Sequence, residues 1–131
     1  MFFNKRRWSF PQKGKAFKSP QALAKEVKRA HWTCCTAFRL EYRGKAYALL
    51  NDTGVGGDAQ EFALVELDAR RDLFNPGCCG MGWQIESITV SWCSVDELAQ
   101  IIADAIADPP IHTRVRFRFD PNLPHSCGLC E

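Results

Sequence analysis

The segment HTRVRFRFD, at residues 112–120, constrains the fold more than any other, because its side chains alternate strictly between basic and apolar. A period of two is the period of a β-strand, in which successive side chains point to opposite faces. The basic face carries Arg114, Arg116 and Arg118, and the apolar face carries Val115, Phe117 and Phe119. The chain must therefore form a sheet that buries the apolar face and leaves the arginines toward solvent.

Two amphipathic helices are predicted to cover such a sheet. The first, over residues 20–31, begins with Ser19 as its N-cap and a proline at the first helical position, where proline costs no hydrogen bond. The second follows Ser94, which forms a capping box with Glu97, and it ends at a pair of prolines. Its apolar residues recur on one broad face, so we expect that face to pack on the sheet.

The remaining strands lie between these helices. The predicted elements are a hairpin over residues 33–51 with its turn at Arg43-Gly44, a third strand over 61–68, and a fourth over 83–93 with a bulge near Glu86-Ser87. The element order is therefore α-β-β-β-β-α-β. This order predicts an α+β two-layer sandwich, in which two helices pack on a mostly antiparallel sheet of four to five strands.

The length of 131 residues fits a single domain. Residues 1–18 have no period and are predicted to form a basic N-terminal arm, residues 19–121 the α+β domain, and residues 122–131 a cysteine-containing C-terminal tail. No apolar run approaches the ~20 residues that span a bilayer, which argues against a membrane protein. The N-terminus lacks the features of a secretory signal, so the expected location is the cytoplasm.

The formal net charge of +2 conceals an uneven distribution of charge. Residues 1–31 hold nine basic side chains and one acidic side chain, whereas the other residues hold eight basic and fourteen acidic ones. A basic N-terminal segment thus accompanies an acidic body, and such asymmetry is typical of proteins that bind a polyanion. The alternative is that the basic segment lies against the acidic body of its own chain.

Binding to nucleic acid or to a nucleoprotein is the leading functional hypothesis. Alternate residues of a strand are about 6–7 Å apart, which resembles the spacing of phosphates along a single nucleic-acid strand. The predicted contacts come from the arm, where a tryptophan could stack on a base, and from the arginine strand. These residues are Lys5, Arg6, Arg7, Trp8, Lys13, Lys15, Lys18, Arg114, Arg116 and Arg118. The opposing interpretation is structural, since an arginine row also blunts an edge strand or pairs with Glu41 and Glu66 across the sheet.

The second helix supports a different hypothesis, a small protein-binding inhibitor or adaptor. Its exposed side is predicted to be acidic and to present Asp96, Gln100, Asp104 and Asp108. Such a face fits a basic surface on another protein, for example a component of a nucleic-acid-processing complex. The simpler alternative is a solvated helix face.

The cysteines suggest a metal site. Seven cysteines, an odd number, cannot all pair within one chain. Cys127 and Cys130 have the Cys-x-x-Cys spacing with which two thiolates bind one zinc ion. A structural zinc site needs two more ligands, for which the candidates include Cys78, Cys79 and His125. A structural zinc ion is thus the one cofactor that the sequence suggests.

Catalysis has little support in the sequence. None of the three histidines has a recognised catalytic context and no carboxylate pair stands out, so we expect a protein that is not an enzyme. Residues 48–54, which include Asp52, resemble the active-site loop of retroviral-type aspartic proteases. That resemblance implies a catalytic carboxylate at Asp52, but Asn51 interrupts it and the long helix after Ser94 does not suit an all-β family. An enzyme that uses Asp52 or a cysteine is the third hypothesis.

Overall fold

The computed structural model describes residues 2–8, 15–30, 32, 35–53, 60–68 and 79–119. Within these residues the chain is an α+β protein with two helices and one mixed sheet, which confirms the predicted class. The helices are α1 (Pro20–Arg29) and α2 (Val95–Ala107). The strands are β1 (Phe2–Trp8), β2 (Ala16–Phe17), β3 (Ala37–Tyr42), β4 (Lys45–Asn51), β5 (Glu61–Leu67), β6 (Cys79–Thr89) and β7 (Thr113–Phe119).

The sheet is larger than the sequence predicted. The described residues form seven strands in the spatial order β1-β7-β6-β5-β4-β3-β2. Neighbours from β3 to β7 pair antiparallel, whereas β1 pairs parallel with β7 and β2 pairs parallel with β3. Both extra strands come from residues 1–18, for which the sequence predicted an arm without regular structure. In the structure this segment supplies the two edges of the sheet.

Both helices begin as their capping residues predict. The hydroxyl of Ser19 accepts a hydrogen bond from the backbone N–H of Ala22 at 3.1 Å. At α2 the capping box is complete, because Ser94 Oγ accepts from the N–H of Glu97 and Glu97 Oε1 accepts from the N–H of Ser94. These bonds satisfy N–H groups that have no partner within a helix, which fixes where each helix starts.

Apolar side chains are buried on both faces of the sheet. On one face, the helices cover a cluster that includes Phe38, Leu49 and Ile102. On the other face, a second cluster includes Trp8, Leu50 and Val65, all of them fully buried. The strands therefore present apolar residues on both sides, which is why β4 contains the nearly continuous apolar run AYALL.

Strand β6 differs most from its prediction. It begins at Cys79 rather than Trp83, and its register against β5 shifts so that Ile85 is an extra residue, next to the predicted bulge position. The bulge brings Ile85 and Ile88 into the same cluster under the helices. The strand also ends early. Trp92, predicted to share an apolar strand face with Ile88, lies in a 3₁₀ turn and is 80% exposed.

Candidate nucleic-acid interface

The structure brings together two basic segments that are far apart in the sequence. Strand β1 forms the edge of the sheet beside β7, and Arg7 is the register partner of Arg118. Each strand carries three basic residues and no acidic one. Adjacent strands are ~4.8 Å apart, so this pairing places six basic positions, the basic region, on two neighbouring strands at the sheet edge. They are Lys5, Arg6, Arg7, Arg114, Arg116 and Arg118.

The structure shows one of the three arginines of β7 in detail. The Arg114 guanidinium lies 4.3 Å from the centre of the Trp83 ring and donates a hydrogen bond to Asp68 Oδ2 at 3.0 Å. Its side chain is 38% exposed. On Trp83 a second ring, that of His112, is stacked at 5.2 Å. Arg114 is therefore held in place by an aromatic ring and a buried carboxylate, and only part of its charge faces solvent.

The surroundings of β7 do not match the two structural roles predicted for its arginines, which were to blunt an edge strand or to pair with Glu41 and Glu66. Strand β7 lies inside the sheet between β1 and β6, so its arginines do not blunt an edge. The predicted acidic partners are engaged elsewhere, because Glu41 pairs with Lys18 and Arg39, and Glu66 pairs with Lys45. The acidic residue that does pair with Arg114 is Asp68, which follows the end of β5.

The predicted arm residues do not stay together. Trp8 is fully buried in the second apolar cluster, so it is not accessible to a nucleic-acid base. Lys18 lies beside β2 at the opposite edge of the sheet from β1, where it forms an ion pair with Glu41. Lys15 is exposed near that same edge, and Lys13 lies outside the described residues. Of the predicted arm residues, Lys5, Arg6 and Arg7 therefore lie on the strand beside β7, and Lys18 lies at the opposite edge of the sheet.

The acidic residues of α2 are exposed, as their helical spacing predicts. Asp96 accepts a hydrogen bond from Gln21 at 3.0 Å, and Asp104 accepts one from Gln100 at 2.7 Å. Asp108 is the exposed C-cap residue, and the last turn of α2 contains no basic residue to offset the negative end of the helix dipole. This end of α2 is therefore a concentrated negative region.

The proposed zinc site falls largely outside the described residues. Cys78, His125, Cys127 and Cys130 are not among them, and Cys79 is described only as the backbone partner of Arg118. Across the residues that the structure does cover, no group of three or more histidine, cysteine or acidic residues could hold a metal ion. The zinc site stays a prediction.

Residues 48–53, the described part of the segment that resembles an aspartic-protease active-site loop, make hydrogen bonds that hold neighbouring strands and loops together. Buried Asn51 donates from its side chain to the carbonyl of Trp32 at 2.7 Å, and Thr53 Oγ1 accepts from the backbone N–H of Glu61 at 3.0 Å. The backbone N–H of Asp52 donates to the carbonyl of Glu61 at 2.8 Å. The bonds of Asp52 and Thr53 join the end of β4 to the start of β5, the bond of Asn51 ties β4 to Trp32, and the surrounding α+β fold is not that of the all-β family.

Sequence reasoning missed a cleft of about 650 Å³ at the end of the sheet that holds the β3–β4 turn. Its walls are Lys18, Arg39, the hairpin residues 41–46, the end of β5 at residues 66–68, and Trp83. Hydrogen bonds from Lys18 and then from Arg39 lower the pKa of Glu41 at its rim. The contributing residues are spread over four parts of the chain, so no local pattern indicates the cleft.

The described residues form an α+β fold with two helices and one mixed sheet, whose β1 edge carries basic residues. No protein-family profile, curated protein or solved structure matches the chain. Neither helix in the described part of the structure is long and apolar enough to cross a membrane.

Proposed function

We propose that this protein binds single-stranded nucleic acid, free or within a nucleoprotein, through the basic strands β1 and β7. The observation that supports the proposal is the parallel pairing of these strands, with Arg7 opposite Arg118. Each strand contains three basic residues and no acidic one, and although Arg114 is paired with Asp68, the remaining positions offer a polyanion several contacts.

The contacts expected at this surface are with phosphates rather than with bases. Trp8 is buried, so stacking from this residue does not contribute. Arginine and lysine side chains on neighbouring strands follow a phosphate backbone without reading its sequence. We therefore expect binding with little sequence preference and a steep dependence on salt. For single strands the logarithm of affinity falls by about 0.7 per neutralised phosphate for each decade of salt.

The test measures the fluorescence anisotropy of a labelled mixed-sequence oligonucleotide, as DNA and as RNA, over a series of salt concentrations. The Arg7→Ala/Arg118→Ala variant should bind more weakly, and its salt slope should be shallower by about 1.4, for two lost phosphate contacts. The control variant Lys15→Ala/Lys25→Ala removes two exposed cations elsewhere and should keep the slope of the natural chain. Equal losses in both variants, or no binding at low salt, would rule out this surface.

A second function, binding to a basic protein, is favoured by one observation at the acidic helix α2. Trp92 is 80% exposed immediately before α2, whose exposed side carries Asp96 and Asp104. Exposed tryptophan is enriched in protein interfaces, and it would supply an apolar anchor beside the acidic face. Loss of a complex with a basic protein such as a nuclease after the double reversal Asp104→Lys/Asp108→Lys would support this function. A complex unchanged by that reversal would count against it.

A further inference from the structure

The cleft beside the β3–β4 turn has the size and lining of a small-molecule site. Its volume of about 650 Å³ falls within the range of ~300–1,000 Å³ that is usual for ligand pockets. Tyr42 and Trp83 provide aromatic surface, and Ala46 and Leu67 provide aliphatic surface. Apart from Gly44, charged residues form the rest of the lining. A ligand for such a cleft has an apolar or flat body and a charged group.

The sign of that charged group follows from the ion pairs in the lining. The described lining contains four cations and three carboxylates, and each carboxylate already has a cationic partner. Glu66 pairs with Lys45 at 3.2 Å, Asp68 pairs with Arg114 at 3.0 Å, and Glu41 is shared between Lys18 and Arg39. The lining therefore has an excess of positive charge and favours an anion.

Arg43 is the cation best placed to meet that anion. Within the described residues it pairs with no carboxylate, and its guanidinium lies 5.2 Å from the centre of the Tyr42 ring, at the wall of the cleft. The ring holds the guanidinium near the cleft without neutralising it. An arginine in this setting can make two parallel hydrogen bonds to a phosphate or a carboxylate.

The backbone at Arg43 adds an independent observation. Arg43 and Gly44 are the two residues of the hairpin turn, and both have positive φ, at 54° and 76°. This turn type favours Asn-Gly, because asparagine tolerates the left-handed conformation that costs an arginine free energy. The chain thus places an arginine where another residue would make a more stable turn. A requirement for the side chain explains that choice.

We propose that this cleft binds a small organic anion, a phosphate or carboxylate attached to an apolar or flat body, and that Arg43 binds the anionic group. The site is separate from the basic region on β1 and β7, and the proposal does not depend on nucleic-acid binding.

The key variant is Arg43→Asn, which separates binding from stability. Asparagine suits the turn, so the unliganded variant should have a thermal midpoint at or above that of the natural chain. Removal of the charge-assisted hydrogen bonds should weaken anion binding by about tenfold or more. Arg43→Gly, which also suits a positive φ, provides a second variant that should lose binding without unfolding.

The probes are AMP, adenosine and benzoate, each measured by calorimetry on the full chain. AMP or benzoate should bind the natural chain, and adenosine, which lacks the phosphate, should bind at least about tenfold more weakly than AMP. Lys25→Gln removes an exposed cation on α1 and should leave binding unchanged. Adenosine equal to AMP, Arg43→Asn equal to the natural chain, or no binding of either organic anion would overturn the proposal. Binding of AMP that survives Arg7→Ala/Arg118→Ala separates this site from the nucleic-acid surface.

Discussion

Replacement of Trp8 by alanine tests whether β1 is an integral part of the domain. Trp8 is fully buried, although it lies in a segment that the sequence predicts to be an arm. A buried tryptophan removes about 150–250 Å² from water, and at about 25 cal/mol per Å² this corresponds to about 4–6 kcal/mol. Tryptophan-to-alanine substitutions in protein cores cost about 3–5 kcal/mol. Small domains are stable by only about 5–15 kcal/mol, so Trp8→Ala should remove a large part of the free energy of unfolding.

The assay is urea unfolding followed by far-ultraviolet circular dichroism. The chain provides its own matched control in Trp92, which is 80% exposed. Trp92→Ala should change the free energy of unfolding by less than about 0.5 kcal/mol, the usual range for surface sites. Trp8→Ala should move the urea midpoint to lower concentration with an unchanged slope. Equal midpoints for the two variants would refute the reasoning, because β1 would then contribute nothing to the fold.

Three further predictions concern local features of the fold. Ser94→Ala removes the capping box of α2 and should cost about 1 kcal/mol in urea unfolding, so a cost near zero would argue that the cap is not formed. Hydrogen bonds from the backbone and side chain of Ser94 lower the pKa of Glu97. The folded pKa lies below the unfolded one, so this stabilisation is present above the unfolded pKa and is lost as pH falls through the folded pKa. Glu97→Gln should flatten this part of the acid dependence of the urea midpoint, and an unaltered profile would contradict the assignment. A Cβ at Gly82 would overlap the backbone carbonyl oxygen of Glu66. Gly82→Ala should therefore lower the free energy of unfolding by about 1–3 kcal/mol. An unchanged thermal midpoint would contradict that expectation.

The elements that sequence reasoning found are those encoded by local patterns. The helices α1 and α2 begin at Ser19 and Ser94, whose side chains bond to residues only three positions away. The hairpin of β3 and β4 and the alternation in β7 also depend on residues close in sequence. Such patterns can be recognised in the sequence because the residues that interact are only a few positions apart.

The elements that it missed depend on distant partners. Strand β1 has no alternating pattern, and its register is set by β7, where Phe2 pairs with Arg116. Strand β6 ends at Thr89, before the predicted end, because Val90–Trp92 form a 3₁₀ turn in which the N–H of Val90 donates to the carbonyl of the distant Gln60. The ion pair of Arg114 with Asp68 joins residues 46 positions apart, so the sequence alone pointed to Glu41 and Glu66 instead. Each error comes from a contact that only the three-dimensional arrangement defines.

The order of strands also determines when the sheet can be completed during synthesis. The meander from β3 to β6 can pair as it leaves the ribosome, but β1 is made first and its partner β7 is made about one hundred residues later. At about 5–20 residues per second, β1 waits on the order of 5–20 s for that partner. During this interval the two phenylalanines and the tryptophan of β1 have no sheet to join. We expect Lys5, Arg6 and Arg7 beside them to act as gatekeepers, because like charges on this segment oppose its pairing with another nascent chain.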